Sequence, residues 1–405
     1  MQFPARFSDL PEYAFPRLRR LLAGVTPGGE ELAMTIGEPK HPMPAMIAET
    51  IADHAHEFAL YPPNDGTPEL RAAIAGWIAR RYGVTLDPEQ QVIALNGSRE
   101  GLFNAALALS PEERDGRRPA VLVPNPFYQA YGAGGLAAGA ELVPVPATQA
   151  TGFLPDYAAL PPALLDRVTL CYLCSPANPQ GAVASEGYLA GLIALAERHD
   201  FRLLVDECYS EIYPDTPPPG ALAAAARAGA DPERVTVFQS LSKRSNAPGL
   251  RAGFAAGGPK AIAALKQLRA YGGAPLPLPI QRAATALWGD EAHVEASRAL
   301  YRAKFALADR LLGNLPGYRA AEGGFFLWLR VGDGEAAALR LYRETGVRVL
   351  PGAYLGRATP GSGNPGEAYI RVALVAAPDA VERGLVAIRE TLGDRLDGAM
   401  TEERA

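Results

Sequence analysis

Short apolar runs alternate with longer amphipathic stretches through the first two thirds of the chain. The runs have the length and the flanking turns of strands, at Gln91–Leu95, Ala120–Val123, Glu141–Val145, Thr169–Cys174, Arg202–Asp206, Val235–Gln239 and Ala252–Ala256. Between most of them the periodicity predicts helices, for example Ser98–Leu109, Phe127–Leu136 and Glu186–His199. This alternation predicts an α/β fold with a mostly parallel sheet sandwiched by helices.

The pattern changes after Gly257. Helices are predicted at Pro259–Arg269 and Glu335–Thr345, together with one long helix over Ile280–Leu312 that is able to bridge two domains; strands are predicted at Phe325–Arg330 and Tyr369–Leu374. This arrangement of helices and strands is typical of a smaller α+β domain. We therefore predict three parts: residues 1–44 as an N-terminal arm and part of the small domain, 45–285 as the large domain, and 286–405 as the C-terminal small domain.

Charge and composition exclude several classes of function. The net charge of -5 gives no basic surface for nucleic acid. No stretch reaches the roughly 18–20 apolar residues that a membrane span needs. The five histidines form no ligand cluster, so no metal site is predicted. The three cysteines suit a reducing cytoplasm, and Cys171 and Cys174 are expected to be buried on opposite faces of one strand.

The first candidate for a catalytic residue is Lys243, one of only five lysines in the chain. Ser240, Ser242 and Lys243 directly follow the apolar run Val235–Gln239, and Arg251 comes soon after. Two hydroxyls and a guanidinium can hold a phosphate, and a lysine can form a Schiff base with an aldehyde. Taken alone, this segment is equally typical of a surface loop.

Three other segments also place polar groups directly after predicted strands. Asp206 ends one strand, where its carboxylate can pair with a pyridine nitrogen or cap the next helix. Asn178 lies in a segment that also reads as a turn. Gly97, Ser98 and Arg99 lead from a strand into a helix, and free amides at a helix start bind phosphate.

The order of these segments resembles the pyridoxal-phosphate (PLP) enzymes of fold type I, specifically the class I/II aminotransferases. The stretch Ser240–Phe254, SLSKRSNAPGLRAGF, carries the resemblance most strongly, and the likeness extends from Ile36 to Leu374. It implies that Lys243 carries PLP and moves the substrate proton, as a catalytic residue together with Asp206 and Tyr209. It implies cofactor contacts from Ser98, Arg99, Tyr128, Asn178, Asp206, Tyr209, Ser240, Ser242 and Arg251.

The resemblance also implies a substrate site and a partner subunit. Arg371 matches an arginine that binds the α-carboxylate, with Gly37 and Asn178 beside it. Tyr61 matches a tyrosine that reaches the phosphate across a dimer interface, which implies a homodimer with shared sites. The segments Asn125–Gln129 and Arg244–Gly249 look like succinyldiaminopimelate aminotransferases of bacterial lysine biosynthesis, although residues 271–277 depart from that pattern.

The expected activity is ping-pong transfer of an amino group from an amino acid to 2-oxoglutarate. The substrate expected from the resemblance is N-succinyl-LL-2,6-diaminopimelate. An aminotransferase of the aspartate, alanine or aromatic type remains an alternative, as does a PLP β-lyase of the cystathionine type. A PLP-fold transcription regulator is disfavoured, because only about 35 residues precede Ile36 and they contain no basic helix-turn-helix.

Overall fold

The computed structural model describes residues 7–396 except 9, 11, 360 and 362. The α-helices of this part are α1 (Ala14–Leu21), α2 (Met46–Asp53), α3 (Pro68–Tyr82), α4 (Ser98–Leu109), α5 (Gln129–Ala137), α6 (Pro162–Leu165), α7 (Glu186–His199), α8 (Ala221–Ala228), α9 (Leu241–Arg244), α10 (Pro259–Gly272), α11 (Leu278–Gly289), α12 (Ala292–Leu312), α13 (Gly334–Thr345) and α14 (Pro378–Leu396). The strands are β1 (Leu32–Ala33), β2 (Val92–Leu95), β3 (Ala120–Asn125), β4 (Glu141–Pro146), β5 (Val168–Cys174), β6 (Arg202–Asp206), β7 (Val235–Ser240), β8 (Gly253–Gly257), β9 (Phe326–Arg330), β10 (Val347–Arg348), β11 (Leu350–Pro351) and β12 (Tyr369–Ala373).

The seven predicted strands of the first two thirds form one sheet, in the order β2-β8-β7-β6-β5-β3-β4. The pairs from β7 to β4 are parallel, and β8 runs antiparallel to both of its neighbours. On β6, Leu203 and Val205 pack into the core on one face, and Leu204 packs into the core on the other. Both faces are therefore buried, which explains why the strands are continuous apolar runs.

A second core lies in the C-terminal part. Strands β11, β12 and β9 form an antiparallel sheet in that order, and side chains of α12, α13 and α14 pack with it. Strand β1 near the N-terminus pairs in parallel with β10. The N-terminal segment thus joins the C-terminal core. The division into three domains with the boundaries given above stays a prediction.

The prediction of one helix over Ile280–Leu312 is wrong, since α11 ends at Gly289 and α12 starts at Ala292. Asp290 is extended, and its carboxylate accepts the backbone N–H of His293 at 3.0 Å. That bond satisfies a free amide in the first turn of α12 and separates the two helices. The predicted helix at Phe127–Leu136 starts later, at Gln129, because Tyr128 has an extended backbone. The long helix α14 is absent from the prediction.

The cysteines lie as predicted. Cys171 and Cys174 are buried on β5 and pack into different cores, and Cys208 is buried and free as well. In the described part of the chain, no helix is long and apolar enough to cross a membrane. Within the same residues, no group of three or more His, Cys, Asp or Glu side chains could hold a metal ion.

Candidate active site

A cavity of about 360 Å³ opens at the edge of the seven-stranded sheet where β5, β6 and β7 end. Polar residues at or just after the ends of parallel strands meet there, as in other α/β sheets. The predicted site residues that line it are Gly37, Ser98, Arg99, Tyr128, Asn178, Asp206, Tyr209, Ser240, Ser242, Lys243, Arg251 and Arg371. The fold thus brings together every predicted site residue except Tyr61.

One end of the cavity gathers groups that can bind a phosphate. Gly97 has a φ of +80°, and a Cβ at this position would lie 2.9 Å from Cζ of Arg251. Ser98 begins α4, so its backbone amide has no partner within the helix. The hydroxyl groups of Ser240 and Ser242 are 2.8 Å apart, and Nη1 of Arg251 is 3.5 Å from the Ser242 hydroxyl. Amides, hydroxyls and a guanidinium therefore converge as an anion site.

Lys243 lies deeper in the cavity, on the short helix α9. Its Nζ donates a hydrogen bond to the Gly37 carbonyl and lies 5.4 Å from the centre of the Phe325 ring. Burial lowers the pKa of Lys243 to about 8. Nearby Cys208 opposes this shift, and the positive charge of Arg371 adds to it. A larger fraction of this amine is therefore neutral near pH 7 than for a solvent-exposed lysine.

Asp206 is buried at the end of β6. Its carboxylate accepts hydrogen bonds from the Tyr131 hydroxyl at 2.6 Å and from the backbone N–H of Cys208 at 3.1 Å. Burial raises the pKa of Asp206, and these two hydrogen bonds oppose that change. A protonated pyridine nitrogen beside it would favour the ionised form. The sequence reasoning missed Tyr131, since a tyrosine inside an apolar helix gives no signal of a polar contact.

Arg371, on β12, brings a positive charge from the C-terminal core to the cavity. The guanidinium donates to Oδ1 of Asn178 at 2.9 Å and to the Thr35 carbonyl at 2.7 Å, while its Nε has no hydrogen-bond partner. Arg371 makes no ion pair within the described part of the chain, and burial lowers its pKa to about 10. A buried cation with an unused donor is a natural site for a carboxylate.

The three predicted tyrosines occupy different places. Tyr128 and Tyr209 line the cavity, and the Tyr128 hydroxyl accepts a hydrogen bond from Nε of Arg99. Tyr61 lies in a loop and is fully exposed, away from the cavity of its own chain. Tyr13 and Glu38 also line the cavity. The sequence reasoning missed Tyr13, because nothing in its local pattern connects the N-terminal arm with this edge of the sheet. It gave the Glu38 side chain no role, although Glu38 follows the predicted Gly37.

Comparison with known proteins assigns the family. Residues 30–388 match the family "Aminotransferase class I and II". This chain belongs to that family. An LL-diaminopimelate aminotransferase from Desulforudis audaxviator is 34% identical over 96% of this chain and 97% of its own length. A crystal structure of an aminotransferase from Neisseria meningitidis has a TM-score of 0.92 and 37% identity, covering 96% of this chain and 100% of its own.

A structure described as a probable N-succinyldiaminopimelate aminotransferase from Thermus thermophilus is also similar. It has a TM-score of 0.82 and 26% identity, and it covers 94% of this aminotransferase chain and 100% of its own. These matches confirm the fold of type I and the enzyme class expected from the sequence. The family resemblance that the sequence suggested is thereby confirmed too.

Class I and II aminotransferases use pyridoxal phosphate, and the residues of this cavity fit that group. The amides, hydroxyls and Arg251 would hold its phosphate, Asp206 would pair with its ring nitrogen, and Lys243 would bind its aldehyde. Glycine at position 97 leaves room for the Arg251 guanidinium. When bound, PLP supplies an aldehyde that accepts the amino group and a cationic ring that withdraws electrons.

The pKa of Lys243 predicts how the cofactor-free enzyme captures PLP. Because burial lowers this pKa from 10.5 to about 8, Lys243 is charged below about pH 8 and neutral above it. Only the neutral amine attacks an aldehyde. The capture rate, followed by absorbance after mixing the stripped enzyme with PLP, should rise with pH and level off above about 8. A rate that still increases tenfold per pH unit well beyond that value would contradict the account.

Proposed function

We propose that this aminotransferase moves the amino group of N-succinyl-LL-2,6-diaminopimelate to 2-oxoglutarate, by a ping-pong mechanism in lysine biosynthesis. The names of its relatives support a donor with the diaminopimelate skeleton. Such a donor carries a carboxylate at each end, whereas alanine has only its α-carboxylate. The site therefore has to recognise a second anion, far from the one that Arg371 binds.

The observation that carries this proposal is the side chain of Arg99 at the mouth of the cavity. Its backbone belongs to the phosphate end, but its exposed guanidinium lies beside the Tyr128 ring, with Cζ 5.8 Å from the ring centre. Arg99 makes no ion pair with any carboxylate of the described residues. A planar guanidinium in this position can hold a distal carboxylate in a forked pair.

The side chains of the cavity have separate roles in this reaction. Arg371 and Asn178 hold the α-carboxylate, and Arg99 holds the distal carboxylate, which fixes the donor along the cavity. Nζ of Lys243 removes the proton from the donor's α-carbon and later returns it on the cofactor side. Asp206 would keep the ring nitrogen of bound PLP charged, and Tyr209 and Asn178 would hydrogen-bond its ring hydroxyl.

A homodimer is part of the proposal. The aromatic side chain of Tyr61 is fully exposed and does not line the cavity of its own chain. In a dimer with shared sites, this loop would reach the phosphate end of the partner subunit. The three buried free thiols are compatible with the reducing cytoplasm that we propose as its location.

LL-2,6-diaminopimelate without the succinyl group is the second candidate donor. Glu38 lines the same cavity and adds a carboxylate to it. A free distal ammonium group would be attracted to Glu38, whereas succinylation converts that ammonium into a neutral amide. The ratio of kcat/KM for the two donors in the wild-type enzyme decides between the candidates.

The substitution Arg99→Gln tests the recognition of the distal anion. It should lower kcat/KM for the diaminopimelate donors by about 10- to 100-fold, because one charge-assisted pair is lost. Single-turnover rates with alanine, which has no distal carboxylate, should stay within about twofold, and so should cofactor affinity. An equal loss with alanine and with the diaminopimelate donors would refute this role for Arg99.

A further inference from the structure

The three residues that follow Lys243 all bond to the segment that runs from the end of helix α11 into the start of helix α12. Arg244, Ser245 and Asn246 contributed to the family resemblance, yet none of them lines the cavity. All three are buried, and each makes side-chain hydrogen bonds to a residue between positions 287 and 297. We call this segment the latch.

The first member of the latch is a fully buried guanidinium. Arg244 donates to the carbonyls of Leu287 at 2.7 Å and Asp290 at 3.1 Å, and to the Glu291 carboxylate at 2.8 Å. Its Cζ lies 5.0 Å from the ring centre of Trp288. A planar cation with several acceptors and an aromatic face beside it is held in one orientation.

The second member forms a relay with two residues at the junction of α11 and α12. The Ser245 hydroxyl is 2.8 Å from Nε2 of His293, and Nδ1 of His293 is 2.5 Å from Oδ2 of Asp290. The ionised Asp290 can only accept, so Nδ1 carries the proton. Burial lowers the pKa of His293, and Arg244 faces its Nε2 at 3.5 Å, so the ring is neutral and Nε2 accepts from Ser245.

This order of contacts is also that of a Ser-His-Asp hydrolytic triad, but it cannot act as one. Ser245 is fully buried and lines neither of the described cavities, so no substrate reaches its hydroxyl. A nucleophile must contact its substrate. The relay therefore serves to hold the backbone just beyond Lys243 against α12.

The third member is Asn246, which has a φ of +49°. Its amide nitrogen donates to the Ser297 hydroxyl at 3.0 Å, and that hydroxyl is 3.3 Å from the amide oxygen. Asparagine tolerates a left-handed backbone better than most residues do. The reciprocal contact fixes the exit of the lysine segment onto the second turn of α12.

Helix α12 also extends into the second core, which contains the sheet that bears Arg371. Tyr301 and Phe305 of α12 pack in that core. The Tyr301 ring stacks on Phe325 with 5.6 Å between ring centres, and the Phe325 ring centre is 5.4 Å from Nζ of Lys243. The helix therefore contacts the surroundings of Lys243 in two ways, through the latch and through Phe325.

We propose that Arg244, Ser245 and Asn246 are positioning residues that set the amine of Lys243 relative to helix α12, and so relative to the carboxylate-binding Arg371. The latch acts through the backbone of α9 and touches no substrate. The proposal relies on Lys243 as the lysine that carries the cofactor. It does not depend on which diaminopimelate is the donor.

The test uses Ser245→Ala in the holoenzyme, with Ser110→Ala as the matched control. Ser110 makes one hydroxyl contact of 3.0 Å, to Thr169, and it does not line the cavity. Ser245→Ala should lower kcat about fivefold, because loss of a buried hydrogen bond leaves Nζ of Lys243 less well positioned for proton transfer. It should also shift the pH midpoint of the visible cofactor band, while KM changes less than about twofold. The control should alter none of these.

His293→Gln provides the second variant, because it changes only the α12 side of the contact and leaves the lysine segment intact. If Ser245→Ala fails to fold, His293→Gln still tests whether the latch positions Lys243. Glutamine can still accept from Ser245 but loses Asp290, so an intermediate loss of kcat is expected. If a folded variant keeps the wild-type band midpoint and kcat and differs only in thermal stability, the latch is merely structural and the proposal is overturned.

Discussion

Replacement of Lys243 by alanine should abolish turnover. We expect kcat to fall by about 10⁴-fold or more, because the substitution removes both the amine that holds the cofactor and the base that moves the α-proton. Of the lysines in the described part of the chain, Lys243 alone lines the cavity, and burial there lowers its pKa to about 8. The visible absorbance band of lysine-bound cofactor should vanish together with the activity.

The exposed Lys260 offers a matched control on helix α10. Lys260→Ala removes the same side chain at a site far from the chemistry, and its kcat and absorbance should equal those of the wild type. Added methylamine should restore part of the proton transfer in Lys243→Ala if the loss is chemical rather than structural. Full turnover in Lys243→Ala would remove this lysine from the mechanism.

The substitution Arg371→Lys should have the second-largest effect. Lysine keeps the charge but cannot hold a carboxylate in a forked pair. Loss of hydrogen bonding within a buried charge pair costs about 2–5 kcal/mol, which corresponds to a decrease in kcat/KM of about 30- to 5,000-fold. Every amino-acid donor should be affected, because all of them carry the α-carboxylate. Titration with PLP should show unchanged cofactor affinity.

Arg330→Lys is the appropriate control for this substitution. Arg330 lies on β9, the strand that pairs with β12, but its side chain is exposed and does not line the cavity. Its kinetics should match those of the wild type. If Arg371→Lys leaves kcat/KM for small and large donors within about twofold of the wild-type value, the α-carboxylate is bound by another group.

The sequence predicted the large sheet well because both faces of that sheet are buried. Each strand is then a continuous apolar run bounded by turns, and all seven runs pair in the structure. Prediction failed at a helix boundary that one local hydrogen bond decides. Asp290 separates α11 from α12 through one capping hydrogen bond, and helical periodicity on either side does not reveal it.

In the site, some residues could be predicted from the local sequence pattern, and others depend on the tertiary fold. Asp206, Asn178 and Lys243 directly follow or end strands, so parallel topology alone brings them to one edge. Tyr131 and Tyr13 were missed because each reaches the site through the folded arrangement of a helix or of the N-terminal arm. Residues 271–277, which depart from the family pattern, lie near the phosphate end, where the carbonyl of Ala274 accepts hydrogen bonds from Asn96 and Arg269.

The most direct test of the account is a half-reaction without any oxo acid. The holoenzyme is mixed with N-succinyl-LL-2,6-diaminopimelate or LL-2,6-diaminopimelate, and the visible band of lysine-bound cofactor is followed. The account predicts that the band disappears as the amino group moves to the cofactor, and that added 2-oxoglutarate restores it. A band unaffected by these donors and by glutamate, or release of pyruvate and ammonia from cystathionine without an acceptor, would contradict an aminotransferase acting through this site.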